Sequence, residues 1–296
     1  MYPTMLRHLL QPRHSPPSVR SSDESNRHLP RTGRALNRER LRQLVRRELT
    51  ARYRGSIIGV AWSLLNPLVY MVVYTVVFSR FMRFTIPGTP YPVYLLSGLL
   101  AWNFLTQSIS ASVNSILGNA VLVKKVAFPW IMLTLATVIS AFVNYAISLV
   151  LLAPLLLIFH VPVSPALALL PLVTAVLFAF ALGLSLGLAA ANVYFRDIEY
   201  LTTIAIQVWF FMTPVIYQLD QILGATHGSH LFTVFRWILY VNPMTWIVSA
   251  FQDVIAFHQW PAHRLGLAYA AAVSLLVLGA GVALFNRLSR RFAEEL

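Results

Sequence analysis

From Ile57 to Ser79 the chain runs for 23 residues without a charge, directly after an arginine-studded segment that ends Arg52-Tyr53-Arg54-Gly55-Ser56. A bilayer core is crossed by about 20 apolar residues at a rise of about 1.5 Å each, so this run is long enough to span one. Comparable runs follow to the C-terminus. Charged residues make up only 11% of the chain, against roughly 25% in soluble domains. The constraint is therefore strong: the chain reads as an all-α integral membrane protein with its positive charge held mainly on one side.

The net charge of +13 raises nucleic acid as a partner. Basic residues beside membrane spans on the cytoplasmic face explain the surplus better, since no nucleic-acid-binding fold accompanies it. There is no cysteine, which excludes disulfides, thiol catalysis and cysteine metal sites. No signal-peptide core precedes residue 56, so the first span reads as an uncleaved signal anchor.

Residues 1–36, rich in Arg, Ser, Pro and His, read as a disordered cytoplasmic leader. An amphipathic interface helix is expected over 37–55, with Asn37 as its cap. Leu41, Leu44, Val45 and Leu49 share one face, and Arg38, Arg42, Arg46 and Arg47 occupy the rest. A transmembrane region over 56–286 then holds six spans: about 57–79, 93–117, 130–159, 166–192, 201–217 and 265–285. Residues 287–296 form a cytoplasmic tail. The fourth span repeats small residues at Ala179, Gly183, Gly187 and Ala191, a spacing that lets helix backbones approach. Between the last two spans, Phe232 to Phe257 is apolar but contains Arg236, Asn242-Pro243 and Asp253. Charges at mid-bilayer cost about 2.5–3.5 kcal/mol, so two short re-entrant or surface helices broken at Asn242-Pro243 are expected. Six spans place both termini on one side. Thirteen arginines lie in the N-terminal segment, whereas the opposite loops carry Arg80, Arg83, Arg236 and Arg264. Both ends are thus expected in the cytoplasm.

The two lysines, Lys124 and Lys125, lie in no phosphate-binding loop motif, so no nucleotide site is legible. No metal-ligand spacing appears. No paired acids lie inside the spans, as an ion-coupled carrier usually needs. A membrane glycosyl- or phosphotransferase should group acids or histidines at one membrane face, and here only Asp197 and Glu199 cluster, beside Arg196. Any driving energy is expected from elsewhere.

Tyr70, Tyr74, Phe78 and Phe81 recur on one helical face. Trp102 and Phe104 in the second span, and Trp209, Phe210 and Phe211 in the fifth, add rings. An interfacial belt explains rings near span ends, but Tyr70 and Tyr74 lie deeper, where a hydroxyl needs protein or a lumen. Lumen lining and buried packing both stay open. A lumen of rings and hydroxyls suits an amphipathic sliding substrate such as a sugar chain. The polar half of the second span (Gln107, Ser108, Ser110, Ser112, Asn114, Ser115) is either a second lining or interhelical hydrogen bonding. Arg52 and Arg54 sit at the inner headgroup level. Anionic-lipid anchoring is the favoured reading, and capture of a substrate pyrophosphate by arginine forks is the other.

The run Leu44-Val45-Arg46-Arg47-Glu48-Leu49 and then Arg52-Tyr53-Arg54-Gly55-Ser56-Ile57-Ile58-Gly59-Val60-Ala61-Trp62-Ser63-Leu64-Leu65-Asn66-Pro67 resembles the approach to the first span in ABC transporter permeases of the type 2 family. The likeness is to the branch exporting O-antigen, capsule and teichoic acid. Asn192-Val193-Tyr194-Phe195-Arg196-Asp197-Ile198, Met212-Thr213-Pro214-Val215-Ile216-Tyr217 and Asn242-Pro243-Met244 extend it, so that it covers roughly residues 37–290. The resemblance implies a separate ABC ATPase in two copies, which would hold the ATP and magnesium, a second copy of this chain, and no cofactor here. It implies an ATPase-coupling segment at about 118–129 with Lys124 and Lys125, and a coupling loop with Arg196 and Asp197. It implies an outer gate around Asn242 and Pro243, and a substrate path along Tyr70, Tyr74, Phe78, Trp102, Trp209 and Phe210. The substrate implied is a lipid-linked polysaccharide crossing a bacterial inner membrane. A type 2 permease for a drug or small lipid is the near alternative.

Overall fold

A computed structural model describes residues 33–59, 61–119, 129–224 and 230–292. Every regular element among them is helical. The chain divides into a small unit, Met1–Arg38, and a large one, Glu39–Leu296. Of the expected leader, residues 1–32 lie outside the described residues, as do Lys124 and Lys125.

Helix α1 spans Gly33–Tyr53. It begins before Asn37, which is therefore an internal residue and not the expected cap. In the large unit Leu41, Leu44, Val45 and Leu49 are half-buried, while Arg42, Arg46 and Arg47 are exposed. Helix α2, Ala61–Tyr74, continues as a π-helix over Thr75–Phe81. Pro67 lies inside α2 and has no N–H for the carbonyl four residues earlier. That carbonyl belongs to Ser63, and the Ser148 hydroxyl donates to it at 2.9 Å. A neighbouring helix thus supplies a donor where proline removes one.

Helix α3 covers Tyr91–Val113, with Pro92 in its first turn, where a missing N–H costs nothing. Helix α4, Ile131–Leu149, stops before Pro154, and α5, Leu152–Ile158, resumes after a tightened turn at Val150-Leu151. Pro154 accounts for the interruption, because its ring clashes with the carbonyl four positions back, that of Val150. A 3₁₀ turn at Pro165–Leu169 is capped by Ser164, which accepts from the Ala166 N–H at 3.3 Å, and leads into α6, Leu170–Tyr194. Helix α7 is Ile198–Phe211, α8 Leu219–Leu223, α9 His230–Val241, α10 Pro243–Ile255 and α11 Arg264–Leu288.

Among the described residues four stretches are long and apolar enough to cross a membrane: Ala61–Phe81, Ile131–Ile158, Pro165–Tyr194 and Arg264–Arg291. Two of the six expected spans fall short for opposite reasons. Helix α3, with 23 residues, is about 34 Å long, but Asn103, Gln107 and its serines dilute its hydropathy. Helix α7 is apolar but has only 14 residues, about 21 Å, and the chain leaves the helix at Met212.

Helix α3 is the hub. It packs on α2, α4, α6, α7 and α10, and most of its residues are buried. Several residues of its polar half and the turn after it meet polar partners. Ser112 and Thr137 share a hydrogen bond at 2.8 Å, Ser115 and Thr134 one at 3.0 Å, and Asn192 donates to the Val113 carbonyl at 3.1 Å. Interhelical hydrogen bonding is thus the role of Ser112 and Ser115. Helices α6 and α11 cross at two glycines. A Cβ on Gly183 would lie 2.6 Å from backbone atoms of Val277 and Leu278, and one on Gly281 would collide with the Gly183 carbonyl. The small-residue row is a backbone contact at this position.

A second small core closes one end of the bundle, here termed the lower end. Ile116, Leu186, Val193, Phe285 and Phe292 are buried together. Trp130 packs edge-on to Phe292 at 5.5 Å, and Tyr194 donates to the Leu288 carbonyl at 2.9 Å. The ends of α3, α6 and α11 and the start of α4 meet here.

Candidate translocation surface

The rings of α2, α3 and α7 join into one ladder. Tyr70 stacks on Tyr74 at 5.9 Å, and Tyr74 meets Phe78 edge-on at 6.2 Å and Phe210 face-on at 6.0 Å. Phe210 lies 5.5 Å from Trp102, which meets Trp209 edge-on at 6.0 Å. Stacked and edge-to-face pairs at these separations are attractive beyond their buried area. All six residues named from the sequence as a substrate path therefore belong to one connected set. The set is graded from inside outward. Trp102 is only 5% exposed and Phe210 9%, whereas Tyr70 is 45% exposed.

The outer helices of the ladder also expose polar side chains. Asn66 on α2 and Gln207 on α7 are exposed, and among the described residues neither side chain has a hydrogen-bond partner. An amide facing lipid loses hydrogen bonds worth a few kcal/mol, so these two positions mark a face that meets water, polar substrate or protein.

The upper end of the ladder is fixed by Asn242. Its Oδ1 accepts from the Met244 N–H at 3.0 Å, which caps α10 with Pro243 in the first helical position, and also from Trp209 Nε1 at 3.0 Å. Its Nδ2 donates to the Met212 carbonyl at 2.9 Å and to Thr213 Oγ1 at 3.0 Å. One side chain thus ties the α9–α10 break to the end of α7. The break expected at Asn242-Pro243 is present, between two short helices.

In the motif Met212-Thr213-Pro214-Val215-Ile216-Tyr217 the last turn bonds run from the Met212 and Thr213 N–H groups back to Trp209 and Phe210, so the carbonyls of Pro214, Ile216 and Tyr217 need other donors. Gln252 Nε2 serves Pro214 at 2.8 Å, the Tyr91 hydroxyl serves Ile216 at 3.1 Å, and the Tyr94 hydroxyl serves Tyr217 at 2.7 Å. Gly98 makes room, since a Cβ there would lie 3.0 Å from Gln252 Nε2. These three donors escaped the sequence reading. The available signals were the single glutamine of α10, beside Asp253, and two tyrosines three apart on one face.

At the lower end Arg52 and Arg54 part company. Arg52 donates to Gln107 Oε1 at 2.8 Å. Arg54 is exposed and has no partner among the described residues. Between them Tyr53 donates to Asn144 Oδ1 at 2.7 Å. Arg47 reaches Asn119 at 2.5 Å and Glu48 at 3.1 Å. Arg196, Asp197 and Glu199 are exposed, and none of the three forms an ion pair among the described residues. They follow Tyr194 at the end that holds Asn119 and Trp130. No group of three or more metal-binding side chains gathers among the described residues.

The model of the ABC-2 type transporter family matches residues 39–256, which includes α2, α3 and α7, the Asn242 tie and the motif after α7. The chain belongs to the ABC-2 type transporter family. It is 34% identical over 253 residues to the O-antigen export system permease protein RfbA of Myxococcus xanthus, covering 86% of this chain and 94% of that protein. A protein of the same name from Klebsiella pneumoniae is 28% identical over 256 residues, with 86% and 93% covered. The polysialic acid transport protein KpsM of Escherichia coli is 26% identical over 91 residues, 31% of this chain and 35% of that one. As a family member the chain is a multi-pass membrane transport subunit.

Proposed function

We propose that this chain is the permease subunit of an ATP-driven exporter that moves a lipid-linked polysaccharide across the bacterial inner membrane. The observation that carries the proposal is the graded aromatic ladder from Trp102 to the exposed Tyr70, on helices that also expose the unpartnered amides of Asn66 and Gln207. Flat rings bind sugar faces while amides and hydroxyls exchange hydrogen bonds along a moving chain, with no single deep well to hold it. The relatives' names support the same substrate class. A drug or small lipid would call for an enclosed pocket, and a transferase for an acid–base pair in a cleft. The open ladder fits neither.

In this reading the protein has six spans. The fifth is α7 with the motif that follows it, made viable by the donors on α3 and α10. Helices α9 and α10 are re-entrant and gate the outer mouth through Asn242. A second copy of this chain faces α2 and α7, enclosing Tyr70, Asn66 and Gln207 between the two. Both termini and the lower end are cytoplasmic. A separate ATPase in two copies docks there, on the segment carrying Lys124 and Lys125 and on the loop with Arg196 and Asp197. ATP and magnesium act in that subunit. Arg52 is held by Gln107, which counts against both pyrophosphate capture and lipid anchoring by that residue.

The test is co-purification with the ATPase encoded beside this chain, followed by hydrolysis assays. A stable complex with vanadate-sensitive turnover that changes with lipid-linked glycan is expected. A chain that pairs with no ATPase would overturn the proposal. Within the complex, Lys124→Glu with Lys125→Glu should lower ATPase association or stimulation at least about tenfold, since two attractive contacts become repulsive. Unchanged stimulation would remove the coupling assignment.

A further inference from the structure

An open groove of about 350 Å³ lies between the end of α1 and the flank of α4. Leu49, Val143 and Ile147 form its apolar walls, Tyr53 and Asn144 its polar floor, and Arg54 its rim. The floor is already satisfied internally by the 2.7 Å Tyr53–Asn144 bond. The rim is not. Arg54 is exposed with no partner among the described residues, while Arg52 is held by Gln107. The nearby acid of α1, Glu48, is engaged with Arg47 at 3.1 Å. An unpaired guanidinium above an apolar trough is the complement of an amphiphile with an anionic head.

We infer that this groove binds one anionic phospholipid of the inner leaflet, with its phosphate on Arg54 and its upper acyl chain along Val143 and Ile147. A guanidinium fork matches two phosphate oxygens at once. The volume is near the lower end of the roughly 300–1,000 Å³ range of small-molecule sites, so the groove holds a head and the start of a chain. The rest of the chain continues onto Val150, one turn beyond Ile147 and 67% exposed. The site lies on α1 and α4, away from the ladder on α2, α3 and α7. The lipid is therefore a resident part of the subunit and not its cargo. It would fasten α1 to the bundle beside the Tyr53–Asn144 bond.

Native mass spectrometry of the full chain, titrated with phosphatidylglycerol or phosphatidylcholine of equal chain length, tests this. One phosphatidylglycerol should be retained in preference to phosphatidylcholine. R54Q should weaken it about tenfold, the scale of one lost charge-assisted contact. R52Q should leave it within about twofold, because that guanidinium is already committed. V143W should remove retention of both lipids by filling the groove. Equal binding by wild type and R54Q, or an equal loss in R52Q, would overturn the site. Complete displacement by equimolar undecaprenyl phosphate would overturn the choice of occupant. All readouts are binding, so they stand apart from any outcome for export.

Discussion

Helices α2 and α3 are neighbours with opposite relations between composition and burial. Helix α2 is apolar, yet little of its span is enclosed by protein (11% of the apolar window). Helix α3 carries asparagine, glutamine and serines, yet most of it is buried. In water this would be inverted. In a bilayer the solvent accepts apolar side chains, and polar groups retreat into protein where donors and acceptors meet. The pair therefore divides the labour of the molecule. Helix α3 organises the bundle through hydrogen bonds and close packing, and α2 presents a surface. If that division is right, substitutions around α3 should act on folding and substitutions on the open side of α2 on transport.

The largest effect should come from Gly98→Leu. The new side chain would displace Gln252 from the Pro214 carbonyl and crowd Val248 and Val215. Overpacking plus an unsatisfied buried carbonyl amounts to about 2–6 kcal/mol. Folded, monodisperse protein recovered in detergent should fall nearly to zero, and recovery at wild-type levels would sink the packing role given to this glycine.

Asn242→Ala follows. It removes the α10 cap and the acceptor of Trp209, and it strands the Met212 carbonyl. The expected loss is about 2–4 kcal/mol, read as a lowered thermal midpoint. Asn242→Asp keeps the cap and the Trp209 acceptor but loses the Nδ2 donor, so it should fall between wild type and alanine. An aspartate variant as weak as alanine would place the weight on Met212 and Thr213 and not on the cap. Tyr94→Phe is smaller again. It deletes only the hydroxyl that serves the Tyr217 carbonyl at 2.7 Å, for about 1–2 kcal/mol, with the ring contact to Phe257 at 5.9 Å intact.

The same contrast explains what was legible in the sequence. The stretch Ala61–Phe81 is little enclosed by protein, so its apolar character is visible directly in the sequence, and α2, α4, α6 and α11 lie where hydropathy places them. The break at Asn242-Pro243 follows from proline chemistry and was equally readable. The starts of α1 and α7 were not. Helix α1 begins before Asn37, and α7 takes in Ile198–Tyr200 from the charged loop, because exposed polar residues set no boundary of their own. The ring ladder was half legible. The spacing of Tyr70, Tyr74 and Phe78 gives one face of one helix, but no local pattern tells that Phe210 stacks on Tyr74 or that Trp102 bridges to Trp209. Those are contacts between segments far apart in the chain. The split between Arg52 and Arg54 was invisible for the same reason, since it depends on where Gln107 lies.

The smallest change in stability and the sharpest test of the division should come together at Tyr70→Ala. Tyr70 is 45% exposed and its ring touches Tyr74 at 5.9 Å, so truncation should cost only about 0.5–1.5 kcal/mol. Its thermal midpoint should stay near wild type while export of lipid-linked glycan drops severalfold, because the outermost rung of the ladder is gone. Tyr74→Ala should cut export at least as deeply and lower stability more, since Tyr74 also contacts Phe78 and Phe210. Tyr70→Phe separates ring from hydroxyl: retained export assigns the work to stacking, and lost export assigns it to the hydroxyl. Should Tyr70→Ala and Tyr74→Ala both insert and export normally, the ladder is a packing device like the α3 network, and the proposed path along α2 and α7 is wrong.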